Sequence, residues 1–150
     1  MFSDIDMILV KEMTSEHIPR VAEIEKLSFT DPWSADALEL LVGDRANGLV
    51  AVEDEEVLGY VGMMCVLDEC QIINVAVHPF ARRKGIGGLL MRSAEDYAGK
   101  RGITVFSLEV RASNTAARSL YRKLGWTECG IRKNFYSHPS EDAYVMIKNI

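Results

Sequence analysis

The sequence predicts a mixed α/β (α+β) domain, and three observations lead there. Apolar residues switch between helical and strand spacing along the chain, in the order strand, two helices, hairpin, strand, helix, strand, helix, two strands. Capping residues or glycines bracket the helical stretches. With 150 residues, 48% of them hydrophobic and 26% charged, the chain can bury one core and has an ordinary globular composition. A single domain over residues 1–150 is expected.

Taken in order, Ile8–Met13 reads as a first strand. Thr14 or Ser15 caps a helix on which Ile18, Val21, Ile24 and Leu27 recur at helical spacing, with Pro19 tolerated in its first turn. T-D-P-W-S breaks the pattern, and Ser34 caps a second helix through about Val42. Gly48–Glu53 and Val57–Leu67 form a hairpin across a polar turn. Gln71–Val77 is almost continuously apolar, as a central strand covered on both faces would be. Ile86, Leu89, Leu90, Ala94, Tyr97 and Ala98 give an amphipathic helix that stops at Gly99 and Gly102. Ile103–Val110 is a strand, and Ser113 or Asn114 caps a helix facing inward through Ala117, Leu120, Tyr121 and Leu124. Thr127–Arg132 and Ala143–Lys148 are terminal strands.

Several function classes drop out. A formal charge of −5 argues against a direct nucleic-acid partner. The opening M-F-S-D-I-D does not read as a signal peptide, and no run is apolar enough to span a membrane. Cys65, Cys70 and Cys129 form no C-x-x-C, and His17, His78 and His138 are scattered, so no metal is expected. A reduced, cytoplasmic setting is the default.

Against this acidic background, three cations run into a glycine turn at a helix start: Arg82, Arg83, Lys84, Gly85, Ile86, Gly87, Gly88. A helix start offers unpaired N–H groups and partial positive charge, and glycines let a ligand approach the backbone. Phosphate is the usual occupant, and a solvated basic turn is the plain alternative. The P-loop pattern is absent, and the turn comes too late in the chain for a dinucleotide fold.

The stretch does fit Gln/Arg-x-x-Gly-x-Gly/Ala after an apolar strand ending V-A-V-H-P. It resembles the acetyl-CoA pyrophosphate loop of the GNAT family of N-acetyltransferases. L-E-V-R-A-S-N-T-A-A-R-S-L-Y-R-K-L-G-W, Leu108–Trp126, resembles that family's second signature of strand, Asn-led helix, Tyr and Gly-Phe/Trp. D-P-W-S, N-V-A-V-H-P, L-E-V-R-A-S-N and R-K-N-F-Y together are similar to the bacterial ribosomal-protein-alanine N-acetyltransferases within it. The resemblance implies a single-domain GNAT fold: a mixed, mostly antiparallel sheet flanked by helices, with a splayed strand pair holding the cofactor. It implies acetyl-CoA as cosubstrate. Arg82–Gly88 would take its pyrophosphate, the Val75, Ala76 and Val77 backbone its acetyl and pantetheine arm, and Asn114 would touch it, besides any role as N-cap.

Acetyl transfer to an amine needs a base, an oxyanion donor and an acid for the departing thiolate. Strand alternation puts Glu109 on the face opposite Leu108 and Val110. By itself that describes a solvated carboxylate or a partner for Arg111; by resemblance Glu109 is the catalytic base. Tyr121, otherwise a packing residue, is by resemblance the acid for the leaving sulfur. A backbone N–H near Val77 would meet the oxyanion.

Trp33, Phe135 and Tyr136 fall in predicted loops or loop edges and are either packing residues or walls of a peptide slot. Asp31, Asp68 and Glu69 could attract a basic acceptor peptide. Cys65 and Cys70 lie on or beside apolar strands with no histidine in a Cys-His signature, which points to direct transfer in a ternary complex without an acyl-enzyme. The resemblance implies the N-terminal α-amine, alanine, of a small-subunit ribosomal protein as acceptor; the oligomeric state is left open, a monomer being one reading. Other amines (a lysine, a polyamine, a small metabolite) and a non-catalytic acyl-CoA sensor are the rival readings.

Overall fold

A computed structural model describes residues 7–44 and 46–150. The hexapeptide M-F-S-D-I-D, on which the signal-peptide expectation fell, lies outside them. Seven strands form one sheet: β1 (Leu9–Glu12), β2 (Ala46–Glu53), β3 (Glu56–Val66), β4 (Glu69–Val77), β5 (Val105–Arg111), β6 (Thr127–Tyr136) and β7 (Glu141–Asn149). Their order is β1-β2-β3-β4-β5-β7-β6. Every neighbouring pair is antiparallel except β4 and β5. The helices are α1 (Ile18–Ser28), α2 (Ala35–Leu38), α3 (Ile86–Gly99) and α4 (Thr115–Lys123).

Period-2 alternation sends successive strand residues to opposite faces. Leu49 and Ala51 join a cluster with Ile86, Leu90, Met91 and Tyr121, so α3 and α4 cover that face. Val50 and Val52 join Ile18, Val21, Ile24 and Leu38 under α1 and α2. The second cluster draws its strand residues from β2, β3 and β4. Among the described residues, none of β5, β7 or β6 joins that second cluster. Two helix caps follow the sequence reading: Ser34 Oγ accepts from Ala37 N–H at 3.1 Å, and Asn114 Oδ1 from Ala117 N–H at 3.1 Å. Thr14, expected to cap the first helix, instead heads a 3-10 turn at Ser15–His17, and α1 begins after it at Ile18.

α3 lies close over β3 because Gly59 carries no side chain. A Cβ there would stand 2.8 Å from the Ala76 carbonyl oxygen and 3.2 Å from Leu90 Cδ1.

The sheet is nearly divided in the middle. β4 and β5 share three rungs, Glu69↔Val105, Cys70↔Phe106 and Gln71↔Ser107, and then part. The reason is local. Gly62 pairs with Asn74 while Met63 pairs with Ile72, which leaves Ile73 as an extra residue in β4. Such a bulge bends its strand and sharpens its twist. From there to Val77, β4 keeps β3 on one edge and faces a gap on the other.

Element ends moved by one or two residues in several places, as fraying ends do. Two differences are larger. The second helix is one turn, Ala35–Leu38, finished by a 3-10 turn at Glu39–Leu41. β6 runs four residues past the expected Arg132, so Phe135 and Tyr136 sit on a strand end rather than in a loop.

Candidate active site

The gap between β4 and β5 gathers most of the expected residues around it. On the β4 side lies the Val75–Val77 edge, with Ala76 buried and its neighbours half-buried. Chain direction then carries β4 through His78-Pro79 into the Arg82–Gly88 turn. Gly85 takes φ 78° and caps α3 without a side-chain hydrogen bond. Arg83 also has a left-handed φ, 67°. Leu89 N–H donates to the Gly85 carbonyl at 3.0 Å, so the N–H groups of Ile86, Gly87 and Gly88 precede the first helical bond. Arg82, Arg83 and Lys84 are exposed beside them, and Arg82 Nε reaches the Val77 carbonyl at 3.3 Å. Those three N–H groups, the helix dipole and the cations fit the charge of a pyrophosphate.

α4 lies against the start of α3: a Cβ on Gly87 would stand 3.4 Å from Leu120 Cδ2. Tyr121, one residue on, is 6% exposed and tilted on Trp126 at 6.2 Å. Burial, with a smaller contribution from Tyr136, pushes its hydroxyl well above the ordinary tyrosine range. It stays protonated at any working pH, as a proton donor must.

Glu109 lies on the face of β5 opposite Leu108 and Val110, which pack under α3 and α4, and its side chain is 14% exposed. Gln71 Nε2 donates to its Oε2 at 2.9 Å, and Arg132 Nε lies 3.5 Å from its Oε1. Neither Gln71 nor Arg132 was anticipated from sequence. Gln71 occupies the last rung before the strands part, so the carboxylate is held at the apex of the gap.

Tyr136 joins the two groups. Burial first, then the Glu109 charge, pushes its hydroxyl up to about 12. It also adds the smaller part of the upward push on the Tyr121 hydroxyl. Arg111 lies over its ring at 4.4 Å and binds Glu141 and the Ser137 and Pro139 carbonyls, which stitches the β6–β7 turn to β5. Phe135 packs edge-on to Tyr136 at 5.0 Å and is exposed.

Trp33 sits apart, half-buried against the α1–α2 cluster. Its backbone N–H donates to Glu25 Oε2 at 2.9 Å. Asp31 and His138, 3.1 Å apart, link its loop to the β6–β7 turn. Glu25 was missed from sequence, although a signal existed: it stands seven residues after Ile18 and four after Val21, on the inward stripe of α1. Among the described residues no group of three or more His, Cys, Asp or Glu side chains converges as metal ligands.

The free edge of β4, the glycine turn below it and the carboxylate at its apex are an arrangement for acyl-group transfer. The chain belongs to the acetyltransferase (GNAT) family, whose pattern it matches over residues 18–126. Among its relatives, a protein of Bacillus subtilis strain 168, provisionally named a ribosomal protein bS18-alanine N-acetyltransferase, is 42% identical, covering 91% of this chain and 92% of its own. The ribosomal protein bS18-alanine N-acetyltransferase of Salmonella typhimurium is 34% identical, over 93% of this chain and 96% of its own. The crystal structure of the ribosomal-protein-S18-alanine N-acetyltransferase from Escherichia coli superposes with a TM-score of 0.90 at 33% identity, covering 96% of this chain and 94% of that one.

Proposed function

We propose that this protein transfers the acetyl group of acetyl-CoA to the N-terminal α-amine, alanine, of a small-subunit ribosomal protein. The observation that carries this reading is Glu109, a carboxylate held by Gln71 at the apex of a gap between two strands, on the face of β5 opposite Leu108 and Val110. The names of the relatives supply the acceptor.

Each residue then has a task. The N–H groups of Ile86, Gly87 and Gly88, with Arg82, Arg83 and Lys84, hold the pyrophosphate of the cosubstrate. Asn114, at the head of α4, touches the cosubstrate in addition to its cap. The backbone of Val75, Ala76 and Val77 lies along the acyl arm as a partner strand would, and an N–H near Val77 meets the carbonyl oxygen as negative charge builds there. Glu109 takes the proton of the attacking amine, directly or through water. An α-amino group has a pKa of about 7.7–8.0, so that transfer is not steeply uphill. The amine nitrogen bonds to the acetyl carbon, the carbon–sulfur bond breaks, and Tyr121 gives its proton to the sulfur. No acyl-enzyme is formed. Trp33, Phe135 and Tyr136 line the way in for the peptide.

All seven strands share one sheet, which supports one domain. The reaction belongs in the cytoplasm, where a ribosomal-protein acceptor is made.

The test is acetyl-CoA-dependent thiol release with three peptides: one with a free N-terminal alanine, one blocked, one blocked with an internal lysine. Activity is expected on the first alone. Glu109→Gln is expected to lower kcat/KM about 10²–10⁴-fold, the usual worth of a positioned base. Turnover of the blocked lysine peptide would replace the α-amine reading with a lysine one.

A further inference from the structure

Glu25 is 0% exposed, yet it carries a carboxylate with no cation beside it among the described residues. It is satisfied by donors from three separate elements. The Tyr60 hydroxyl on β3 and Asn74 Nδ2 on β4, at 2.8 Å, donate to Oε1. The Trp33 backbone N–H, on the loop between α1 and α2, donates to Oε2 at 2.9 Å. Asn74 is the first residue after the Ile73 bulge, where β4 has just left β5. One buried group therefore ties the strand that borders the gap to the loop that bears Trp33.

We propose that Glu25 is a positioning residue for the acceptor, fixing the Trp33 loop against β4 so that the incoming amine meets the acyl arm at the right place. This rests on the assignment of Val75–Val77 and Trp33 to the site. Glu25 is sealed from solvent and touches no substrate, so it acts only through what it holds.

The two ends of this tie depend on it unequally. Val75, Ala76 and Val77 are already paired with Val61, Tyr60 and Gly59 of β3, and that ladder survives the loss of one side-chain bond. The Trp33 loop belongs to no ladder. Apart from the helix-end bonds of Phe29 and Ser34, its polar anchors among the described residues are the Glu25 bond and the exposed Asp31–His138 contact. Loosening Glu25 is therefore felt on the acceptor side and hardly on the cosubstrate side. A glutamine at this position keeps the volume but offers one acceptor oxygen to three donors that now share two. At least one tie must break or reverse.

The experiment compares wild type, Glu25→Gln and Glu25→Asp in steady-state thiol release, varying the alanine peptide and acetyl-CoA separately. The melting temperature of each is measured in the same buffer. Both variants are expected to raise the peptide KM about tenfold or more, with the acetyl-CoA KM within about twofold, the signature of a lost acceptor-side interaction. A purely structural role would lower the melting temperature and leave both KM values alone. That result in a folded variant overturns the proposal while the acetyltransferase reading stands. A wild-type protein silent on every amine would overturn the reading itself, and this proposal with it. If Glu25→Asp does not fold, Glu25→Gln decides the matter alone.

Discussion

The clearance at Gly59 permits a quantitative prediction. Replacing it with alanine puts a Cβ 2.8 Å from the Ala76 carbonyl oxygen, 3.2 Å from Leu90 Cδ1 and 3.4 Å from Ile86 Cγ2. The first of these is backbone and cannot swing aside. Either α3 lifts from β3 or β4 shifts. Overpacking of this kind costs about 1–3 kcal/mol, and the alanine returns about 0.5–1 by restricting the unfolded chain. The net loss is about 0–2.5 kcal/mol, or up to roughly 10 °C in melting temperature for a chain of this size. Gly62→Ala is the control. Its Cβ would also come close, 2.9 and 3.0 Å, but to the Leu41 methyls, which can rotate away. Urea unfolding followed by fluorescence of the buried Trp126 reads both variants. Gly59→Ala is expected to be the less stable of the two and to raise the acetyl-CoA KM if β4 is what shifts, since that strand carries the Val75–Val77 edge. Equal stability of the two variants, or a more damaged Gly62→Ala, would refute the argument that immovable backbone sets the cost.

Three further outcomes are expected. Arg83→Glu places an anion beside the glycine turn and should raise the acetyl-CoA KM at least about tenfold with saturated kcat little changed; titration calorimetry with CoA checks it independently. Asn114→Ala removes the α4 cap and should cost about 1 kcal/mol of stability in urea; a rise in acetyl-CoA KM beyond that would assign Asn114 to the cofactor as well. Glu141 accepts from the Ser113 N–H at 2.5 Å and pairs with Arg111, and these contacts hold its carboxyl below the ordinary range. A depressed folded-state pKa stabilises the protein above the unfolded value and ceases to as pH falls through the folded one. Glu141→Gln should therefore melt earlier than wild type at neutral pH, and the difference should close as the buffer is taken below the usual glutamate range.

The helices and most strands were legible because their signals are local. Ile18, Val21 and Ile24, or Ile86, Leu90 and Ala94, announce a buried face by spacing alone. The glycine turn was legible for the same reason, since residues adjacent in sequence make it. What could not be read was set by partners far along the chain. The extra residue at Ile73 is visible only against Gly62 and Met63 of β3. Glu25 looks like one more charge on a helix until Tyr60 and Asn74 arrive beside it from 35 and 49 residues away. Gln71 and Asn74 were the only polar residues in the expected strand Gln71–Val77, and each turns out to bond a carboxylate. Tyr136 drew attention as an aromatic near a loop, but its place between Glu109 and Tyr121 depends on the register of β6 against β7.

The chain crosses the parting of β4 and β5 once, through the turn after α3. Everything before that turn builds β1 to β4 and α1 to α3; everything after it builds β5 to β7 and α4. The halves meet through three strand rungs, the apolar layer beneath α3 and α4, and side-chain contacts such as Gln71–Glu109, Asp31–His138 and Lys148–Glu95. A protein built this way can be severed at the turn. Expressed as two pieces, residues 1–101 and 102–150, it is expected to reassemble on mixing, because packed surfaces rather than a continuous ladder join them. Any molecule lodged in the parting would act as a splint, and the severed protein would report on that molecule by whether its pieces come together.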